Sequence, residues 1–386
     1  MKRCKISFVI LLIVTLLASP PILSDATIVF IDSGQNLGDG VAFAIKLGDI
    51  DEDGDVDAFF ATWHNIQRVW LNDGNGIFEN SSQSLGGISA HGAALGDLDG
   101  DGDLDVFVTF NQSNDRVFMN DGSGTFTDSG QSLGLTDENG CGVTLGDIDG
   151  DGDLDALVNN YLHLNRIWLN TGDGTFVDSG QHVGAANSGG MVLEDLDADG
   201  DLDMFVSYYE AKNKVWINDG DGNFSDSGQS IGSAQGHGGA DIGDLDGDGD
   251  LDAFLTNSLF GNTVYLNNGS GAFTMHGSDF GLSSNKVALG DLDRDGDLDA
   301  CTTQHDFGNE VWVNDGSGVF TSVGKLLGTQ YGVSITLGDI DNDGDLDAFI
   351  GNTNDYDNGV TKLFLNETEV AVEEESWSNI KRIFTR

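Results

Sequence analysis

Apolar residues in this chain come in short runs, each bounded by Gly, Asp or Asn, from about residue 26 to residue 366. Runs this short, rich in Val, Ile, Phe and Trp, predict β-strands, and nothing reads as a long amphipathic helix. The runs recur in a fixed order. A first, strand a, is typified by Ala93-Ala94-Leu95-Gly96. An acidic stretch follows, then strand b, typified by Leu104-Asp105-Val106-Phe107-Val108-Thr109. After a variable polar segment comes strand c, which ends in an aromatic, an aliphatic and Asn. Examples are Trp70-Leu71-Asn72, Phe118-Met119-Asn120, Trp168-Leu169-Asn170 and Trp312-Val313-Asn314. A turn such as Asn120-Asp121-Gly122-Ser123-Gly124 is a hairpin signal and leads into strand d. Strand d opens on Phe (Phe78, Phe126, Phe176, Phe224, Phe273, Phe320) and often carries Asp-Ser-Gly-Gln.

The acidic stretch between a and b sets the period. It reads Asp-x-Asp-x-Asp-Gly-Asp-x-Asp seven times, with starts 48, 50, 48, 49, 47 and 48 residues apart. Four short antiparallel strands per unit of this length predict propeller blades, so the fold class is an all-β, seven-bladed β-propeller with four-stranded blades. The ends of the chain point to closure. Residues 27–38 look like a strand d without partners, and the seventh unit ends after strand c at Asn366. The N-terminal strand is therefore expected to complete the seventh blade and remove both open edges.

The loops are candidate metal sites. Positions 1, 3, 5 and 9 offer carboxylates and position 7 its backbone carbonyl. The loops are Asp49, Asp51, Asp53, Asp55 and Asp57; Asp97, Asp99, Asp101, Asp103 and Asp105; Asp147, Asp149, Asp151, Asp153 and Asp155; Asp195, Asp197, Asp199, Asp201 and Asp203; Asp244, Asp246, Asp248, Asp250 and Asp252; Asp291, Asp293, Asp295, Asp297 and Asp299; and Asp339, Asp341, Asp343, Asp345 and Asp347. An all-oxygen, carboxylate-rich set suits Ca2+, matching the first half of an EF-hand loop. Mg2+ keeps more of its waters, and without Cys or His the loops do not suit zinc or copper. Unlike an EF-hand, the loops lack a Glu at position 12 and are flanked by strands, so about seven Ca2+ would each staple a hairpin. Crowded carboxylates repel strongly without a cation.

These loops and their spacing resemble the FG-GAP/VCBS repeats of integrin α-chain propellers and of many secreted bacterial proteins and lectins. The resemblance covers residues ~26–366. It implies a calcium-bearing propeller, and family roles range over adhesion, sugar binding and accessory domains of polysaccharide lyases. Fold does not choose among them.

Composition is consistent with one turn-rich β domain: 56 of 386 residues are Gly, and both prolines, Pro20 and Pro21, precede the repeats. The net charge of −49 excludes nucleic acid and anionic membranes as partners. Residues 1–24 read as a secretory signal, with Lys2, Arg3 and Lys5 before the apolar stretch Ile6–Ala18. A retained anchor is the alternative. A secreted, surface or periplasmic protein is expected, and a monomeric propeller. Cys141 and Cys301 fall in blades almost opposite one another, so they read as unpaired, small buried residues. Residues 367–386 form a tail that turns from acidic to basic.

No nucleophile elbow or metal-spaced His set appears, so no catalytic residue is assigned. The candidate ligand face is the side opposite the acidic loops, where b–c and d–a segments vary most. It carries Trp63, His64, Phe110, Tyr161, His163, Tyr208, Tyr209, Phe260, His305, Phe307 and Tyr356, with His91, Asn139, His237 and Tyr331 from d–a loops. Aromatic rings beside hydrogen-bonding groups suit carbohydrate and also suit an extracellular protein. A binding or adhesion module is expected. A lyase-like enzyme and a purely structural module of a surface assembly remain open, as does the reading that these aromatics seal the blade ends.

Overall fold

The computed structural model describes residues 27–368, apart from Asp39, Ile88, Glu138, Leu162, residues 185–186, His237, Leu282, residues 305–307, Thr329 and residues 356–357. The signal segment, the tail beyond 368, and His237, His305, Phe307 and Tyr356 lie outside the described residues. Among the described residues no helix is long and apolar enough to cross a membrane.

Among the described residues, twenty-eight strands form seven antiparallel sheets of four. In the first blade Val41–Gly48, Asp57–Trp63, Arg68–Asn72 and Phe78–Asn80 lie side by side in chain order, and five further blades repeat this plan. The seventh takes Tyr331–Gly338, Asp347–Asp355 and Asn358–Asn366, then borrows Phe30–Asp32, whose Phe30 faces Asn366 in antiparallel register. The N-terminal strand therefore closes the ring. The pairing runs slightly past the expected end of the blades: Glu367 N–H donates to Val29 O (2.8 Å), and Val29 N–H to Thr368 Oγ1 (3.3 Å).

The core lies between neighbouring sheets rather than within one. Phe59 of blade 1 packs with Val106, Phe118 and Phe126 of blade 2. At the closing joint Phe60, Trp70 and Phe78 pack with Phe349 and Leu363 of blade 7, and the Phe78 and Phe349 rings meet edge to face at 5.3 Å. Each such large side chain taken from water contributes about 1.5–3 kcal/mol.

Two polar clasps repeat across the joints. The side-chain amide of Asn120, last in its strand c, donates to Ile50 O of the preceding blade (2.8 Å) and to Leu104 O (3.2 Å). Asn72 does the same to Ile340 O (2.7 Å), which ties blade 1 to blade 7. The second clasp is the Gln of Asp-Ser-Gly-Gln. Gln83 donates to Gly124 O (2.6 Å) and accepts from Phe126 N–H (2.8 Å) of the next blade. Gln35, on the N-terminal segment, makes the same pair of bonds to Gly76 and Phe78.

The a strands form the innermost ring around a central channel. They approach closely there. A Cβ on Gly92 would come within 2.5 Å of Gly142 Cα in the next blade, so only Gly fits.

Candidate functional site

The acidic loops all lie at one end of the channel, where strand a turns into strand b. The sixth residue of each is Gly at φ between 91° and 102°, a conformation that costs little only without a Cβ. Its N–H donates to Oδ2 of the first Asp at 3.1 Å in all seven loops. The fourth residue is also left-handed. Gly fills it in three loops, but Glu52, Ala198, Arg294 and Asn342 adopt φ of 60–62° there. For a residue with a side chain that costs on the order of 1 kcal/mol or more, so the loop holds a strained backbone in a set shape.

The ninth Asp is buried in every loop. In blade 2, Asp105 accepts Leu98 N–H on Oδ2 (3.0 Å) and Asn120 N–H on Oδ1 (2.8 Å). The same pair recurs in all seven blades and fastens the loop to the end of strand c. Burial pushes the ninth carboxyl up to about 6 in Asp57, Asp105, Asp155, Asp203 and Asp252, and to about 7 in Asp299 and Asp347.

Seven groups of at least three potential ligand side chains place one donor atom each all within 4.8 Å of one another, among them Asp49, Asp51 and Asp53; Asp97, Asp99 and Asp105; Asp147, Asp149 and Asp155; Asp195, Asp197 and Asp199; and Asp244, Asp246 and Asp248. One buried Oδ1 of Asp51, Asp99, Asp149, Asp197, Asp293 and Asp341 has no hydrogen-bond partner. Buried anionic oxygens without a donor are costly unless a cation meets them. The residues therefore fit a hard dication. Seventh-position side chains are turned aside: the Asp103 carboxylate lies so close to Gly122 of the c–d turn that a Cβ there would meet it at 2.8 Å. This arrangement leaves the position 7 carbonyl, rather than the side chain, for a cation.

At the other end the channel opens into a cavity of about 640 Å³, lined by Phe43, His91, Cys141, Tyr161, Tyr209, Lys286 and Tyr331 among others. Three of these, and Gly189, Asn285 and Val333, owe their aim to a repeated irregularity. Strands a and b slip register by one residue near the start of strand a in six blades. The extra residue is Phe43, His91, Cys141, Gly189, Asn285 or Val333, and all six line the mouth. A β-bulge re-aims its side chain in this way. Trp63 joins from the end of strand b, its ring 4.5 Å from His91, 4.6 Å from His64 and 5.9 Å from Phe43. Burial pulls His91 down to about 4, so it stays neutral near pH 7 and can both donate and accept. Tyr161 is 43% exposed and meets Tyr209 edge on at 6.4 Å.

An FG-GAP-like repeat model matches residues 49–108, 97–158, 195–255, 244–302 and 291–350, more than half of the chain. The chain belongs to the FG-GAP-like repeat family. Among curated proteins no sequence matches it. Solved structures share the fold. The BP39L lectin from Burkholderia pseudomallei superposes with a TM-score of 0.65 at 13% identity, over 84% of this chain and 96% of the lectin. BBS1N, solved in complex with ARL6DN, gives 0.59 at 10% identity, over 89% of this chain and 99% of that one. Identities this low speak to fold alone.

On this FG-GAP propeller the expected ligand-face residues divide. Trp63, His64 and Tyr161 lie at the opposite end from the acidic loops, and His163 is half-buried near Tyr161. Tyr208 requires correction: it is only 5% exposed and packs between blades with Leu157 and Val183. Phe110 is likewise buried, in the joint between blades 1 and 2. Strand alternation turns these two rings inward, and Tyr209 takes the outward place. Cys301 is buried as expected, whereas Cys141 is only partly buried and lies at the mouth. Phe43, Cys141 and Lys286 were missed as lining residues. For Phe43 and Cys141 the signal was a position rather than a residue type, and Lys286 sits one residue further along its strand. Counting back five from the last residue of strand a gives Phe43, His91, Cys141, Gly189, Gly238, Asn285 and Val333, a varied column amid repeating neighbours.

Proposed function

We propose that this chain is an exported, calcium-stabilised binding module, not an enzyme, whose mouth opposite the acidic loops takes carbohydrate. The observation that carries this reading is the mouth itself. It combines the rings of Tyr161 and Tyr209 with neutral hydrogen-bonding groups such as His91 and Asn285, in a volume typical of ligand pockets, and Trp63 packs beside it against His91 and Phe43. Calcium would be held by loop positions 1, 3, 5 and 9 and would neutralise carboxylates that otherwise repel. It would fix the blade ends from the far side and take no part in recognition.

A second reading, an extracellular protein partner, draws on Leu259 and Phe260, which are 64% and 47% exposed in the b–c segment of blade 5. A glycan array probed with calcium present separates the two. Saturable glycan binding is expected, and Trp63→Ala or Tyr161→Ala should each weaken it by about 1–3 kcal/mol without changing melting temperature or calcium content. Capture of one protein with no glycan bound would favour the second reading. Turnover of an acidic polysaccharide would replace both with a lyase-like enzyme.

A further inference from the structure

The chain has 16 Lys and Arg against 65 Asp and Glu, yet two lysines lie on the channel wall. Lys46 and Asp241 occupy the same register, two residues before the end of strand a in blades 1 and 5. Asp241 is the anion that faces Lys46. Its carboxylate is fixed by Leu289 N–H (2.9 Å) and Ile242 N–H (3.1 Å), so this deeper pair is balanced within the protein.

Lys286 stands one layer nearer the mouth, four residues before the end of its strand. At that register the other six blades carry only Ala, Gly or Ser, so Lys286 alone projects into the opening. Its ammonium donates to Gly189 O across the channel (3.3 Å). The titratable groups that face it are the Cys141 thiol and the like-charged Lys46. Burial pushes that thiol up to about 11, so it is uncharged near neutral pH. Among the described residues no anion lies beside this enclosed ammonium, which is costly, and an arriving anion relieves that cost.

We propose that Lys286 receives the carboxylate of an acidic sugar residue at the floor of the mouth, while Tyr161 and Tyr209, which line the same cavity, hold the ring above it. This rests on the carbohydrate reading and names its substrate class. The acidic loops do not oppose it. They sit at the far end of the a strands, where Asp291, five residues on from Lys286, lies ~17 Å away at the usual rise per residue. The screening length in physiological salt is ~8 Å.

The test is calorimetric titration of the calcium-loaded full chain with glucuronate, its uncharged amide glucuronamide, and glucose. Glucuronate should bind at least about tenfold more tightly than either neutral sugar, with an advantage that shrinks as salt rises. Lys286→Met should remove that advantage and leave glucose binding unchanged. Lys46→Met, at the balanced pair, should alter glucuronate affinity less. Equal affinity of the native chain for glucuronate and glucuronamide overturns the proposal and leaves the carbohydrate reading standing. The comparison of those two sugars needs no variant, so it decides even where Lys286→Met fails to fold. Binding of no sugar at all overturns both.

Discussion

The side-chain amide of Asn120 bonds two carbonyls, one of them Ile50 O in the neighbouring blade, while its own N–H is held by Asp105. One residue thus joins a strand end, an acidic loop and the next blade. Asn120→Ala leaves the buried carbonyl without its donor, at a cost of about 1–3 kcal/mol. Urea unfolding in calcium should show that loss. Asn223→Ala, which removes bonds only to exposed Asp219, should stay within about 0.5 kcal/mol of the native chain. Equal effects would mean the repeated Asn serves the local turn alone.

Among the elements, the short strand Phe30–Asp32 has a consequence beyond its length. It covers the outer edge of blade 7, and the segment that follows it carries Gln35 to the turn of blade 1. Losing it exposes a strand edge and leaves one clasp acceptor, Gly76 O, and one clasp donor, Phe78 N–H, without their partner in one step. Deleting residues 27–38 should therefore lower the melting temperature, and raise aggregation, far more than deleting residues 371–386. Scanning calorimetry of both truncations at equal calcium checks this, and equal melting temperatures would contradict closure by the N-terminal strand.

Across the whole molecule, the proposed calcium sites in the seven loops would give calcium and pH opposite effects on stability. Without calcium the ninth carboxyls hold protons in the folded state that the unfolded chain, near its ordinary value of 3.8, releases. The folded state then binds more protons across that window, so stability falls as pH rises from about 4 to about 7. In chelator the melting temperature should be higher at pH 5 than at pH 7.5. With millimolar calcium the cation, not the proton, neutralises the loops, so the calcium-induced rise in melting temperature should grow with pH. Thermal melts at the two pH values check both signs. A melting temperature unmoved by chelator at pH 7.5 would remove calcium from the account.

Blade number, strand order and the acidic loops were legible along the chain because each is a local property. A nine-residue loop brings its own carboxylates together, and a run of Val and Phe declares a strand wherever it later packs. Ring closure was legible too, since an orphan strand at one end matched a missing one at the other. The inward turn of Tyr208 and Phe110 was not, because a ring at the end of strand b can point either way and register decides. The mouth was least legible. Phe43, His91, Cys141 and Lys286 come from four blades and mean nothing as neighbours in sequence. Six register slips aim one residue from each of six blades at a common axis, five of them with a side chain and one the glycine Gly189. Only closing the ring makes that axis exist, so a site shared among blades is a property of the tertiary structure, whereas a site within one loop belongs to the sequence.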